Sequence, residues 1–252
     1  MQHYFINENL TNNQRVTLPL EIGHHLSKVL RAEVGDKVQL VSATHLVYLA
    51  EIGSIDGRQV TATIQKELHM DVELPVEVTI VSGLSKKNKP ELIVQKATEL
   101  GADHIIFLPM ARSIVKWDQK SEKKLKRLNE VALSAAEQSH RNLVPTVSYL
   151  HSLYELTKRP FDGPFDVKLV AYEEAAKDGE ESNLAQALKD IRPDTSIVAV
   201  FGPEGGISSE EISLLTDQAY ISAGLGPRIL RTETAPMYFL SSVSVMTELL
   251  KS

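Results

Sequence analysis

The sequence predicts an α/β protein with a mainly parallel sheet, preceded by a small β-rich unit. From Val76 onward, β-prone apolar runs alternate with segments of helical periodicity, a pattern typical of a parallel sheet covered on both faces. Before residue 70, several short strands are separated by turn signals, which favours a compact barrel. The stretch 66–75 is mostly polar and aperiodic. We therefore expect two domains, residues 1–70 and 76–252, joined by a linker.

One helix interrupts the strands of the N-terminal unit. Ile22, Leu26, Val29 and Leu30 form its apolar stripe, which leaves Lys28 and Arg31 outside. These two side chains are candidates for contact with phosphate, although charges on a helix surface commonly serve only solubility. Gly-Asp and Asp-Gly pairs supply turns. The candidate strands are 4–6, 15–18, 37–41, 46–50 and 59–64.

The C-terminal domain contains five candidate strands, at 76–81, 105–108, 167–171, 197–201 and 220–221. Pro90 suits the first turn of a helix that ends at Gly101. Two further helices are expected, over 123–139 and about 233–250. Pro236 falls in the first turn of the last helix, where proline is tolerated.

Composition excludes several classes of protein. The 252 residues include no cysteine, so disulfides, thiolate metal sites and cysteine nucleophiles are absent. The start of the chain lacks the pattern of a signal peptide, and no apolar run reaches the roughly 20 residues of a membrane span. We expect a cytoplasmic protein.

A basic segment lies within an acidic chain. The net charge is -6, but residues 86–127 carry eleven basic and five acidic side chains, a local charge of +6. Such a segment suits a surface that faces phosphate. The alternative for its densest part, 120–127, is a solvated helix face.

A glycine-rich turn follows one of the predicted strands. The apolar run 198–201 ends at Gly202-Pro203, and Gly205 and Gly206 follow. Ser208 and Glu211 then form the capping box of a helix. Glycines at such a turn allow backbone groups to approach a ligand closely. A purely structural turn is the alternative.

A second glycine-broken strand end repeats this pattern. Gly224 and Gly226 follow the short run 219–223, and Arg228 and Arg231 come next. The two turns could face each other across one pocket, where the arginines would suit an anionic partner.

Several familiar sites are excluded by their missing residues. The first turn lacks the Gly-Lys-Ser/Thr ending of a P-loop, and Ile229 replaces the third glycine of a dinucleotide fingerprint. The histidines show no metal-ligand spacing, and there is no Gly-x-Ser-x-Gly elbow. What remains is a backbone-rich pocket without an evident nucleophile, which suits a reaction whose cofactor carries the reactive group.

Five stretches together resemble the ribosomal RNA small-subunit methyltransferase E family. They are 29–31 with Gly35-Asp36, 95–101, 136–139, 201–206 and 225–235, and they run through nearly the whole chain in the expected order. The resemblance implies a SPOUT-type, trefoil-knotted parallel-sheet domain preceded by a PUA-like β-barrel. It also implies S-adenosylmethionine as cofactor, 16S ribosomal RNA as substrate and a homodimer, to which the final helix would contribute.

The resemblance carries a set of expected cofactor-binding residues in the two glycine turns and the start of the last helix. Within this set, Glu204 would orient the amino group of the cofactor or merely cap the turn. The set comprises Phe201, Gly202, Pro203, Glu204, Gly205, Gly206, Leu225, Gly226, Ile229, Leu230, Thr234 and Ala235.

The implied reaction is methylation of uracil N3, which is a poor nucleophile while it is protonated. Arg231 is the candidate for stabilising the developing uracil anion, or else a structural clamp for phosphate or carboxylate. Arg112 and Arg141 join Lys28 and Arg31 as candidates for contact with RNA. His3 stands where the family is expected to have arginine, which leaves the N-terminal contribution to RNA binding open.

Two other functions remain compatible with the sequence. A related SPOUT enzyme could methylate a ribose 2′-oxygen or a transfer RNA. A non-catalytic RNA-binding protein could also have kept the fold.

Overall fold

A computed structural model describes residues 1–117, 121–158, 165–172, 183–189 and 191–250. Asp118 and Lys120, which belong to the predicted basic segment, lie outside these residues. The chain divides into two compact units. Unit 1 comprises Met1–Glu73 with Ala136–Leu143, and unit 2 comprises Leu74–Ala135 with the chain from Val144 onward.

Unit 1 is built on a five-stranded mixed sheet with the order β1-β3-β4-β5-β2. Strand β1 runs parallel to β3, whereas the other pairs are antiparallel. Strand β5 reaches into the stretch expected to be a linker, because residues 66–68 continue the ladder with β4. The strands are β1 (Gln2–Phe5), β2 (Arg15–Thr17), β3 (Lys37–Val41), β4 (Val47–Asp56) and β5 (Gln59–Leu68).

The helix of unit 1 is α1 (Leu20–His24), which continues as a π-helical turn over His25–Val29. Leu26 from the predicted stripe is buried in the core of this unit. Val29 and Leu30, however, are 60% and 39% exposed. The stripe prediction was wrong for this pair, because the helix widens into the π turn and ends before Arg31, whose φ is 53°.

Unit 2 contains a six-stranded sheet with the order β11-β9-β10-β6-β7-β8, in which every pair is parallel. The predicted parallel sheet is therefore confirmed. Strand β8 was not predicted, because Val147 is its single aliphatic residue. The strands are β6 (Glu77–Gly83), β7 (His104–Leu108), β8 (Thr146–Tyr149), β9 (Val167–Ala171), β10 (Ser196–Phe201) and β11 (Ile221–Ala223).

Helices cover both faces of this sheet. Alternate residues of the buried strands, such as Val198 and Ala199, belong to two different hydrophobic clusters, as expected for a sheet with two covered faces. Among the described residues, every helix is too short or too polar to span a lipid bilayer. The helices are α2 (Lys89–Glu99), α3 (Ser121–Ser139), α4 (Leu153–Lys158), α5 (Asn183–Lys189), α6 (Ser209–Asp217) and α7 (Thr234–Ser244), the last continuing as a π turn over Val245–Leu249.

The carboxyl ends of the six parallel strands lie at one edge of the sheet. Phe201 at the end of β10 pairs with Ala171 and Ser82, and Ala223 at the end of β11 also pairs with Ala171. The loops that follow these strands consequently begin side by side. In open parallel sheets this edge is where ligands bind.

Candidate functional site

Two adjoining cavities lie at the carboxyl edge of the sheet in unit 2. The larger has a volume of about 700 Å³ and the smaller about 340 Å³. Tyr172, Ile229 and Ala235 line both. These volumes fall within the range of small-molecule and cofactor sites.

The first glycine turn lines the larger cavity with all six of its predicted residues, 201–206. Gly206 has a φ of +74°, and its amide donates to the Pro203 carbonyl at 2.9 Å, which closes the turn. The predicted capping box is present, because the Ser208 hydroxyl accepts from the Glu211 amide and the Glu211 carboxylate accepts from the Ser208 amide. This cap fixes where the turn ends and α6 begins.

The second turn borders both cavities. Leu225 and Gly226 line the smaller one, whereas Ile229 and Leu230 line both. Gly226 has a φ of +81°, a conformation that few other residues adopt. The two turns, although distant in sequence, therefore meet at one composite site.

The last helix begins at this site. The Arg231 carbonyl accepts hydrogen bonds from the amides of Thr234 and Ala235, at 2.8 and 3.0 Å. Ala235 lines both cavities, whereas the exposed Thr234 lines neither. Cofactor contact by Thr234 therefore gains no support from the cavity geometry.

Lys89 bridges the two turns, a role that the sequence did not reveal. Its Nζ lies 3.1 Å from Oε1 of Glu204 on the first turn and 3.2 Å from Oε2 of Glu233 on the second. Oε1 of Glu204 also accepts from the Lys86 amide at 3.1 Å. Lys89 itself lines the larger cavity. One ammonium group thus links the carboxylates of both turns to the start of α2.

In this cluster, burial and ion pairing shift the pKa values of the charged groups in opposite directions. Burial alone would raise the pKa of Glu204, but backbone amides and Lys89 hold that pKa below its usual value. The same holds for Glu233, whose own amide, Lys89 and Arg231 outweigh the effect of burial on its pKa. Burial would lower the pKa of Lys89, but its bonds to the two carboxylates raise it. The three groups therefore remain charged near neutral pH.

Two arginines lie at the larger cavity. Arg231, the candidate catalytic residue, lines it with an exposed side chain. Arg112, which was expected to contact RNA, lines it as well, and its Nη1 donates to the Gly205 carbonyl at 3.1 Å. Next to it, the Ala111 amide donates to Oε1 of Glu211 at 2.7 Å. The loop after β7 is thereby attached to the first glycine turn.

The glycines of the two turns are required for different reasons. A Cβ on Gly205 would lie 2.8 Å from Cβ of Arg112 and 3.0 Å from its carbonyl oxygen, so a larger residue would collide with the loop after β7. A Cβ on Gly226 would lie 3.6 Å from the Tyr238 hydroxyl, and there the positive φ is the main restriction. Close packing of backbone explains the first glycine, and conformation explains the second.

The remaining RNA-binding candidates lie in unit 1. Lys28 and Arg31 are exposed, in or next to the π turn. Arg141, in contrast, is only 3% exposed, and its guanidinium group binds the Glu73 carboxylate. This buried ion pair gives Arg141 a structural role, so the structure does not support its expected contact with RNA.

His3 belongs to the same buried network. Its Nδ1 lies 3.0 Å from Oε1 of Gln39, and its Nε2 lies 2.7 Å from the Arg141 carbonyl oxygen. The residue is 2% exposed. His3 therefore binds the segment 136–143 to the sheet of unit 1.

Comparison with known proteins gives two family matches. The RNA methyltransferase domain matches residues 72–244, and the RNA methyltransferase PUA domain matches residues 19–65. A ribosomal RNA small subunit methyltransferase E from Bacillus subtilis is 43% identical, over 100% of this chain and 99% of its own length. The protein of the same name from Synechocystis is 31% identical, over 92% of this chain and 74% of its own length.

Two solved structures of methyltransferases are similar to this chain over nearly its whole length. A ribosomal RNA small subunit methyltransferase E from Neisseria gonorrhoeae, bound to S-adenosyl methionine, superposes with a TM-score of 0.85 at 30% identity, and the match covers 98% of each chain. A Legionella pneumophila methyltransferase in complex with the same cofactor gives a TM-score of 0.81 at 28% identity and covers 96% of each chain.

The fold and the composite site define an RNA methyltransferase of the SPOUT type, with a PUA-like N-terminal domain and a trefoil-knotted parallel-sheet domain. The expected fold class is thereby confirmed. The chain belongs to the ribosomal RNA small subunit methyltransferase E family.

Proposed function

We propose that this protein transfers the methyl group of S-adenosylmethionine to N3 of a uridine in 16S ribosomal RNA. The observation that carries the proposal is the cavity of about 700 Å³ shared by the two glycine turns, with Arg231 on its lining. Membership of the family supports the choice of RNA, and the Neisseria gonorrhoeae structure supports the choice of cofactor.

The residues present fit this cofactor. Three of the five residues of the first turn, 202–206, are glycines. At these positions the backbone itself lines the larger cavity, with no side chain in the way. Leu225, Gly226 and Leu230 offer a mainly apolar wall to the smaller cavity. The Glu204 carboxylate suits a cationic amino group, while the ammonium group of Lys89 holds that carboxylate in place.

The chain must promote loss of the N3 proton and stabilise the resulting anion. S-adenosylmethionine supplies an electrophilic methyl group on a sulfonium. Arg231 places a cation at the cavity, where it stabilises negative charge on a uracil oxygen as the proton leaves. N3 lies on the pairing edge of the base, so the target uridine is unpaired or flipped out of a helix.

Exposed basic residues provide the surface for RNA. Lys28 and Arg31 serve this role in unit 1, and Arg112 serves it at the cavity in unit 2. Contacts of this kind position a substrate through its phosphates without reading its sequence.

The active form is a homodimer that works in the cytoplasm, where ribosomal subunits reside. Support for association comes from the end of the chain. Val245, Leu249 and Leu250 are 40%, 74% and 65% exposed, which is unusual for three large apolar side chains within six residues.

Nucleoside analysis tests the reaction. Small subunits from a strain lacking the gene are incubated with the purified protein and S-adenosylmethionine, and their digested RNA is examined by mass spectrometry. We expect 3-methyluridine to appear only with the protein. A 2′-O-methylated nucleoside, or methylation of transfer RNA alone, would contradict the proposal.

A binding measurement separates the enzyme from a non-catalytic RNA-binding protein. Calorimetry with S-adenosylmethionine should show saturable binding. No heat of binding at large cofactor excess would exclude methyl transfer.

A further inference from the structure

A small basic pocket lies in unit 2, apart from the cofactor cavities. Its volume is about 170 Å³, well above the roughly 30 Å³ of a water molecule and below the range of cofactor sites. It therefore has room for a small chemical group. Its lining comes from four segments: the loop after β6, the first turn of α2, the segment after β7 that contains Val115 and Trp117, and the first part of α3.

Positive charge dominates the lining. Lys87, Lys124 and Arg127 contribute three cations, and Glu91 contributes a single carboxylate. Glu91 is already bound by Arg127, with its two oxygens 2.6 and 3.0 Å from Nε and Nη2. The pocket consequently retains an excess of positive charge that suits an anion.

A buried hydroxyl gives a second, independent indication. Ser85 lines the pocket and is only 2% exposed. Its Oγ has no hydrogen-bond partner among the residues that the structure describes. A buried polar group without a partner is destabilising, and a ligand that accepts its hydrogen bond removes that cost.

The start of helix α2 adds to the positive potential. In the described part of the chain, its N-cap residue Asn88 forms no side-chain capping hydrogen bond. Pro90 has no backbone N–H, but the positive end of the helix dipole still favours a negatively charged group at this turn. Lys89 and Pro90, in this same turn, line the cofactor cavity and the basic pocket respectively.

We infer that this pocket binds a backbone phosphate of the substrate RNA, close to the nucleotide that enters the cofactor cavity. The inference rests on the proposed function, because the ligand is part of the same RNA. The Ser85 hydroxyl donates to a phosphate oxygen, and Lys87 and Lys124 neutralise its charge. The pocket thus positions the RNA relative to the cofactor.

A pair of double variants tests this inference. Lys87→Gln with Lys124→Gln removes two charges from the pocket, and Lys123→Gln with Lys126→Gln removes two charges from α3 residues that do not line it. We expect the variant with Lys87→Gln and Lys124→Gln to bind 16S RNA about tenfold more weakly. The slope of log K against the logarithm of the salt concentration should become shallower by about 1. The control pair should have a much smaller effect, and cofactor affinity should be unchanged in both.

Trp117 supplies a signal from the pocket itself, because it lines the pocket and is the single tryptophan of the chain. We expect its fluorescence to change on titration with RNA. A response to inorganic phosphate without any response to RNA would overturn the inference, since it would identify a free anion as the ligand.

Ser85→Ala separates a ligand-binding role from a structural one. The variant should bind RNA several-fold more weakly while its thermal stability is unchanged or higher, because it removes an unpaired buried hydroxyl. Equal loss of RNA affinity in both lysine pairs, or unchanged affinity in the pocket variants, would refute the pocket. Failure of the proposed function would appear separately, as a wild type that methylates no 16S RNA. If the wild type methylated 16S RNA and the pocket variants bound it normally, only the pocket would be refuted.

Discussion

Lys89 joins the two glycine turns that line the proposed cofactor site. It contacts Glu204 and Glu233, one from each glycine turn, and it belongs to a third segment of the chain. Because the turns approach each other with two carboxylates, their association requires a cation between them. The residue thus has a positioning role, holding the walls of the cavity together.

Substitution of Lys89 by methionine should therefore destabilise unit 2, by about 1–2 kcal/mol near pH 8, allowing for partial exposure of the cluster. In the wild type the pKa values of both carboxyl groups are lowered, so their stabilising effect is present above the unfolded pKa and is lost as the pH falls through the folded pKa. The difference in the free energy of unfolding between Lys89→Met and the wild type should accordingly shrink below about pH 4.5. Thermal unfolding across this pH range measures it.

The exposed Lys86→Met provides the control, since it removes a neighbouring charge but keeps the backbone amide that Glu204 accepts from. A loss of stability in Lys89→Met that was the same at pH 4 and pH 8 would point to lost packing instead of lost charge.

Arg231→Ala should reduce turnover by on the order of a hundredfold or more while cofactor affinity changes little, because the proposed mechanism needs its charge mainly when the uracil anion forms. Methyl transfer to small subunits and calorimetry with S-adenosylmethionine measure the two quantities. Arg228→Ala is the matched control, since Arg228 is exposed and lines only the smaller cavity. Equal loss of turnover and affinity would show that Arg231 organises the pocket.

Individual residues differ in how far their roles could be predicted. The glycines of both turns are conspicuous in the sequence, because few other residues suit such turns. The sequence places Lys89 only within a basic segment, because its neighbours in sequence give no indication of a contact with Glu204 or Glu233, which lie far along the chain. Arg141 has the charge expected of an RNA contact. Its burial beside Glu73 depends on the tertiary structure, however, and cannot be inferred from the neighbouring sequence.

At the scale of elements, long or strongly patterned segments were predicted well. Strands β3, β6, β7, β9 and β10 and helices α2 and α3 lie close to their expected positions. Strand β8 and helices α4 and α5 were missed because they have four, six and seven residues, too few to show a clear periodicity, so tertiary packing decides their conformation. The π turn after α1 was also missed, since its sequence retains ordinary helical spacing.

The end of α3 contains a carboxyl group with unusual titration behaviour. Burial raises the pKa of Glu137 to about 7, although a hydrogen bond from the Phe5 amide lowers it in part. The pKa of Tyr4 is also raised, to about 12, first by burial and then by the charge of Glu137. The folded protein therefore binds a proton at Glu137 more tightly than the unfolded chain does.

Stability should consequently fall between about pH 4.5 and 7.5, as the proton of Glu137 is lost from the folded state. Glu137→Gln should remove this dependence and be more stable than the wild type at pH 8, by about 1–2 kcal/mol after solvent screening is allowed for. Thermal unfolding at pH 5 and pH 8 provides the comparison. Gln138→Glu, at an exposed neighbouring position, tests whether added charge alone alters the profile. Parallel pH profiles for Glu137→Gln and the wild type would contradict the assignment.

At the scale of the whole molecule, the apolar end of the chain should determine the oligomeric state. Leu249→Asp introduces a charge into the exposed apolar group at residues 245–250, so we expect it to convert the proposed dimer to a monomer. Analytical ultracentrifugation measures the mass. Leu20→Asp, at a position 66% exposed in unit 1, is the control and should leave the dimer intact. A wild type that sedimented as a monomer of 27.9 kDa would exclude the dimer.

The order of the site's segments along the chain has a consequence for biosynthesis. The larger cavity is lined by residues from Lys89 to Ala235, and its last contributors lie at the start of the final helix. A nascent polypeptide lacks that closing wall until the segment up to Ala235 has been synthesised and has left the ribosome. In the proposed function, a copy that lacks this segment would have an open cavity and would be unable to hold the methyl donor.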